Sequence, residues 1–371
     1  MLRPTLRIRH HAPRNGFAVD GPIASSTSRK ATVRSIQRIR VMNQKQPQNK
    51  PTRFLDVVRE KIRLRHLSFK TEQHYLGWIK RFIIFHGKKH PELMAGEPEI
   101  CAFLSHLAVA MNCSPSTQNQ ALNALVFLFR HVLGRNLGEL KSVTWARRRQ
   151  HIPTVMTREE VRKVLEHLRE YPPKRLIGCL LYGCGLRLSE ALRLRVKDVD
   201  FALGILTIRD SKGGKDRVVP LPKKLVHPLR EQIELSKAIH EKDLQEGFGK
   251  VSLPYALSRK YPNADKEWIW QYVFPSTRRA IDPRSGIIKR HHIFDTYMES
   301  AVKLAASQAG LMKRVTCHTF RHSFATHLLE NGRDIRLIQE LLGHSDVRTT
   351  MIYTHVAQSP VPRVVSPFDE L

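Results

Sequence analysis

From Arg53 onward the apolar positions recur at helical spacing. Phe54, Val57, Val58 and Ile62 share one face. Tyr75, Leu76, Ile79, Phe82 and Ile83 share another, after a start signal near Ser68 to Thr71 and before a stop at Gly87. Two more helices are predicted, one around Pro98 to Met111 and one after Ser116, whose apolar face carries Leu122, Leu125, Val126 and Phe129 before Gly134. Four helices, each with one apolar face, make a small bundle.

The stretch from about Lys141 to Thr157 has neither the helical nor the strand period and contains Arg147, Arg148, Arg149 and Pro153, so it reads as a linker. Beyond it the pattern predicts helices over 158–169 and 174–195, a strand pair around 204–221, and a long run of helices to about 357. There is no solenoid-type repeat. The expected organisation is a basic extension over 1–50, a helical domain over 51–140, a linker over 141–157, and a mixed, mainly helical domain over 158–371.

A chain of 371 residues is long enough for two cores. Its 63 Lys and Arg against 33 Asp and Glu give a formal net charge of +30, which attracts polyanions and makes nucleic acid the expected partner. Basic residues also simply solvate surfaces or face anionic lipid, but no apolar run approaches the roughly 20 residues that span a bilayer. The five cysteines are odd in number and form no C-x-x-C pair, so a cytosolic setting without a disulfide framework or zinc ribbon is expected. Residues 1–50 hold eleven Lys and Arg and a single acid, Asp20, too few apolar anchors to order a core, and are expected to be disordered. An Arg-rich transit peptide, a start codon choice upstream of Met42, and a basic arm on DNA all suit that composition.

Four segments carry candidate chemistry. In Gly183 to Leu194 a glycine-bounded turn leads into a helix, with Arg187 and Glu190 three apart on one face; their pairing would aim the guanidinium, either as a structural ion pair or as a fork for phosphate. In Gly204 to Leu221 two β-rich runs flank a Lys-Gly-Gly-Lys tip that projects Lys212 and Lys215, a common solvated tip or a mobile acid for a departing oxygen. In His318-Thr319-Phe320-Arg321 the spacing places an imidazole and a second guanidinium on one helical face. Tyr353 lies nine residues past His344. A helical tyrosine is most often half-buried packing, and a phenol of pKa about 10 is a poor nucleophile unless cations favour its anion. Two arginines and a lysine around a phosphodiester supply that help.

Taken in order, G-C-G-L-R-L-S-E, the K-G-G-K hairpin, H-T-F-R-H-S-F-A-T-H and L-G-H-S-D-V-R-T-T-M-I-Y-T-H resemble the tyrosine recombinase (phage integrase) family from about residue 53 to 358. The resemblance implies that Arg187, Lys212, His318, Arg321, His344 and Tyr353 fill the catalytic positions, with Glu190 in support, and that no cofactor or metal is used. It implies a mainly α fold with a small β-sheet: an N-terminal helical, SAM-like core-binding domain plus an α+β catalytic domain, closing as a C-shaped clamp on DNA. Lys70, Arg81 and Lys215 are further candidate DNA contacts. Residues 239–292, including E-W-I-W-Q-Y-V-F-P-S, are similar to the extra segment of integron integrases. That implies recombination of attI- and attC-type sites, including folded single strands whose extrahelical bases pack on aromatic faces. Trp268, Trp270, Tyr272 and Arg290-His291-His292 offer such surfaces, and Trp270, Pro283, His291 and His292 are the chosen contacts. Equally, Trp268, Trp270 and Phe274 can be the core of a small subdomain.

The resemblance further implies a homotetramer in the synapse, with the tail after Thr354 docking on a neighbour. A Xer- or phage-type recombinase, a type IB topoisomerase, and a DNA-binding protein with an idle active site are the competing readings. The absence of a G-x-x-x-x-G-K-[ST] loop fits a reaction that conserves bond energy in a phosphotyrosyl ester. His318 and His322 lack the Glu of an H-E-x-x-H zinc pair.

Overall fold

The computed structural model describes residues 53–138, 153–169, 172–209, 216–254 and 257–354. The expectations for residues 1–50, for the linker before His151, for Lys212 and Lys215 at the hairpin tip, and for the tail after Thr354 lie outside the described residues. The chain divides into two compact units, Met1–Arg148 and Arg149–Leu371.

The first unit holds α1 (Phe54–Leu64), α2 (Phe69–Phe85), α3 (Glu97–Val109) and α4 (Pro115–Phe127). Ser68 and Ser114 cap α2 and α4, their side chains accepting from the N–H groups of Thr71 and Thr117. Pro115 follows the second cap, where its missing N–H costs nothing. The α4 helix runs on through a wider turn over Leu128–Val132 and stops at Gly134 in left-handed backbone, φ +66°. Val58, Ile62, Ile79, Phe82, Ile100, Leu122, Leu125 and Phe129 meet inside, each no more than 1% exposed. Burial of each such side chain contributes about 1.5–3 kcal/mol.

The second unit contains α5 (Arg158–His167), α6 (Pro172–Gly183), α7 (Leu188–Leu192), β1 (Val199–Asp200), β2 (Ile205–Ile208), β3 (Arg217–Pro220), α8 (Lys223–Gln245), α9 (Leu257–Lys260), β4 (Ala280–Ile281), β5 (Ile288–Lys289), α10 (Asp295–Gln308), α11 (Cys317–Glu330), α12 (Ile335–Leu342) and α13 (Arg348–Met351). The strands β1, β2 and β3 form an antiparallel sheet in chain order, with Ile205 opposite Pro220 and Ile208 opposite Arg217. Leu180, Leu186, Leu192, Leu206, Val219, Phe274, Val302 and Phe320 belong to its core. No described helix is long and apolar enough to cross a membrane.

Two expectations are corrected. The segment 174–195 is two helices, because Gly185 adopts φ +62° and a Cβ there would lie 2.5 Å from Phe324. The break sets Arg187 at the N-cap of α7. The long run of helices is also interrupted: between α8 and α10 lie the one-turn α9, further short turns and the β4–β5 hairpin. Gly247 and Gly249, at φ +82° and +93°, with Pro254, Pro262, Pro275 and Pro283, punctuate that stretch.

Candidate active site

Glu190 is the hub of the site. Its carboxylate accepts from the Arg187 guanidinium at 2.7 Å and the Arg187 backbone N–H at 2.8 Å, and from both Nη groups of Arg217 at 2.6 and 2.9 Å. Burial alone would raise its pKa, but the Arg217 and Arg187 bonds hold it down at about 2. The carboxylate thus stays charged and fixes two guanidinium groups.

Arg321, on α11, is 4% exposed. It donates to the carbonyls of Gly185 and Leu342, each at 2.5 Å, and lies 3.1 Å from His344 Nε2. Burial and the Arg187 charge pull its pKa to about 9, so it remains a cation at neutral pH. Because a guanidinium only donates, His344 Nε2 is the acceptor and the ring proton sits on Nδ1, facing Thr350 Oγ1 at 2.9 Å. Burial, with Arg321, Arg187 and Arg217 nearby, pushes His344 down to about 3 and keeps it neutral. Left-handed Gly343, φ +61°, turns the chain at the end of α12 so that its carbonyl faces Arg187 Nη2 at 3.3 Å.

Tyr353 follows α13 and is 2% exposed. Its ring stacks on His344, with centroids 6.4 Å apart and planes at 17°. Its hydroxyl stands 3.0 Å from His322 Nδ1. Burial raises the phenol pKa while Arg321 and Arg187 pull it the other way. His318 lies one turn before His322 on α11, with ring centroids 6.3 Å apart. Its pKa is lowered by burial and then by Arg321 and Arg187. An anionic oxygen entering here meets cations already fixed in place, the requirement for stabilising charge on a reacting phosphate.

The structure therefore gathers Arg187, Glu190, His318, Arg321, His344 and Tyr353. Lys70 and Arg81 are exposed on α2, eleven residues and three turns apart on one face, with Arg81 4.8 Å from the Trp78 ring. Trp270 is half-buried, its carbonyl accepts from Arg195, and Lys197 Nζ lies 3.0 Å from its ring centroid. Pro283 is exposed between β4 and β5. His291 and His292 are half-buried with lowered pKa values, and His292 Nδ1 lies 2.7 Å from the Ile293 carbonyl.

Other insert aromatics are already occupied. Phe274 and Tyr272 are buried and Trp268 packs on the core and stacks with His240, so Trp268 and Tyr272 do not offer free faces. Arg290 is paired with Asp243. Sequence reading missed His322 and Arg217. The four-residue spacing of His318 and His322 was the available signal for the first; Arg217 sits in a β-rich run that gives none.

Residues 154–359 match the model of the Phage integrase family, and residues 54–139 match the phage integrase N-terminal SAM-like domain. An integrase/recombinase of Escherichia coli is 47% identical over 325 residues, covering 88% of this chain and 96% of that protein. One of the same description from Pseudomonas aeruginosa matches to the same extent. Among solved structures, XerH site-specific recombinase bound to a palindromic difH substrate aligns with a TM-score of 0.56 at 21% identity, over 85% of each chain. A lambda integrase dimer bound to a core site gives 0.55 at 18% identity, over 81% of this chain and 93% of that one; both likenesses speak for the fold. With family models covering both units and a near full-length relative at 47% identity, the chain belongs to the phage integrase family, the tyrosine-type site-specific recombinases.

Proposed function

We propose that this recombinase works as an integron integrase, cutting and rejoining DNA at attI- and attC-type sites through Tyr353, with folded single strands among its substrates. The observation that carries the chemistry is the convergence of Arg187, Arg321, His344 and the Tyr353 hydroxyl around one carboxylate-anchored site. The Tyr353 oxygen attacks the scissile phosphorus, the 3′-phosphate becomes esterified to the tyrosine, and Lys212 protonates the departing 5′ oxygen. A partner strand's 5′-hydroxyl reverses the step, so the ester conserves the energy of the cut bond.

The integron reading draws its support from residues 239–292. Trp270 is half-buried with a lysine against its ring, and Pro283 is exposed between β4 and β5; in this reading both meet unpaired bases. The excess of basic residues supplies the nonspecific hold on the backbone. In this reading both units contact DNA, and four protomers share a synapse through the tail after Thr354.

A labelled hairpin-forming strand, its complement and the duplex, each incubated with the protein in EDTA and run on denaturing gels, test this reading. Covalent adduct on the folded strand in excess of its complement, absent in Tyr353→Phe, is the expected result. Adduct on duplex alone would instead place the protein with recombinases that exchange duplexes.

A further inference from the structure

Before its oxygen can bond to phosphorus, the Tyr353 phenol must give up a proton, and burial makes that harder. Arginine side chains cannot accept it. His344 has both ring nitrogens engaged, Nε2 with Arg321 and Nδ1 with Thr350, so taking a proton there breaks the Arg321 bond. His318, in the first turn of α11, has its ring centroid 6.3 Å from that of His322, and among the described residues no hydrogen bond joins it to the phenolic oxygen. His322 stands differently: its Nδ1 is 3.0 Å from the phenolic oxygen, it shares α11 with Arg321, and its ring is tilted against that of Tyr353 with centroids 5.5 Å apart.

We propose that His322 is the base that takes the phenolic proton from Tyr353 during strand cleavage, an inference that rests on the function proposed above. The proton passes from the Tyr353 oxygen to His322 Nδ1 as the tyrosine oxygen bonds to phosphorus and the bond from phosphorus to the 5′ oxygen breaks. That 5′ oxygen takes its proton from the general acid, the role given to Lys212. In the joining half-reaction the incoming 5′-hydroxyl loses its proton to that amine, and the His322 imidazolium returns its own to the departing phenolate. Atoms and charges balance in each direction without another reactant.

The surroundings of His322 tie this base to DNA. His318 and Arg321 on its own helix, and His344 and Tyr353 across from it, face the ring; burial first, then His318 and Arg321, press its pKa to about 4. The neutral ring is then free to accept, but it is a weak base. A phosphodiester entering the site adds the missing negative charge, which favours the imidazolium and raises its basicity toward the working pH. Proton removal is thereby coupled to arrival of the strand, and the DNA-free site keeps its tyrosine protonated.

Single-turnover cleavage of a nicked suicide strand by wild type, His322→Ala and His322→Asn tests the assignment, with DNA binding measured for each. Cleavage about a hundredfold slower in both variants is expected, with binding retained and part of the His322→Ala rate restored by added imidazole. Asparagine can keep a hydrogen bond to the phenol but cannot carry its proton, so wild-type cleavage by His322→Asn overturns the inference even if the alanine variant folds poorly. Wild-type cleavage by His322→Ala overturns it as well. Failure of the wild-type protein itself to form adduct on bound DNA removes the underlying functional reading and this inference with it.

Discussion

Arg217 and Glu190 are joined by two hydrogen bonds of 2.6 and 2.9 Å across 27 positions of sequence, both side chains less than a tenth exposed. Arg217 also donates to the Leu341 carbonyl at 2.8 Å. One strand residue, opposite Ile208 where β3 leaves the hairpin turn, thus ties the hairpin to the carboxylate that aims Arg187 and to the end of α12, which leads to His344.

Removing either partner separates stability from chemistry. Glu190→Gln leaves two guanidinium groups without their anion and is expected to cost about 3–5 kcal/mol in chemical denaturation. Arg217→Lys keeps the charge but loses the paired geometry, and a loss of about 1.5–3 kcal/mol is expected. Its cleavage rate should fall more than its DNA affinity.

Gly185→Ala is expected to be among the more damaging small substitutions. The residue is held at φ +62°, a Cβ would lie 2.5 Å from Phe324 and 3.2 Å from Leu342, and its carbonyl accepts from Arg321. Strain of about 1–3 kcal/mol is expected in the thermal midpoint, together with slower cleavage because Arg321 shifts.

Stability should fall on the acid side of neutrality. His344 and His322 have folded pKa values of about 3 and about 4, below the 6.5 of an unfolded histidine. Below pH 6.5 the unfolded chain therefore binds protons that the native site refuses, and stability is progressively lost as pH drops towards those folded values. The slope is at most about 1.4 kcal/mol per pH unit for each ring, less where solvent screens it. Denaturation of wild type and His344→Asn between pH 7 and 4.5 measures this; a flat profile in wild type contradicts it.

Trp270→Ala should weaken binding to a folded strand with an extrahelical base about tenfold or more, the worth of one base stacked on an aromatic ring. Duplex binding should change little. Equal losses on both substrates would mean that Trp270 only supports the fold through Arg195 and Lys197.

Much of this was legible in the sequence because helices with one apolar face advertise themselves. The cap at Ser68 and the stop at Gly134 follow local chemistry, and the faces carrying Ile79, Phe82, Leu122 and Leu125 do meet in a core, although α4 is capped by Ser114 and starts at Pro115, ahead of the start expected after Ser116. The Arg187–Glu190 pairing was likewise readable from a spacing of three. Where the period failed, tertiary packing was in charge. The glycine-bounded turn at Gly183 to Gly185 hints at a break inside 174–195, but the close approach of Phe324, 139 positions later, which leaves no room for a side chain at Gly185, is set by the fold alone.

The same limit applies to the site. In sequence His322 is only the second histidine of an incomplete zinc pair; its partner Tyr353 lies 31 residues away, and only the fold brings the hydroxyl to it. Arg217 looked like an ordinary strand residue. Among the insert aromatics, the W-I-W-Q-Y spacing could not separate Trp270, half-buried under Lys197, from Tyr272 and Phe274, which are consumed by packing.

The most direct measurement traps the covalent complex on a suicide substrate in EDTA, digests it, and sequences the DNA-bearing peptide by mass spectrometry. The expected peptide carries the nucleotide on Tyr353 through a 3′-phosphate, and Tyr353→Phe yields none while still binding DNA. A DNA-bearing peptide without Tyr353, or an undiminished adduct in the phenylalanine variant, would contradict the assignment.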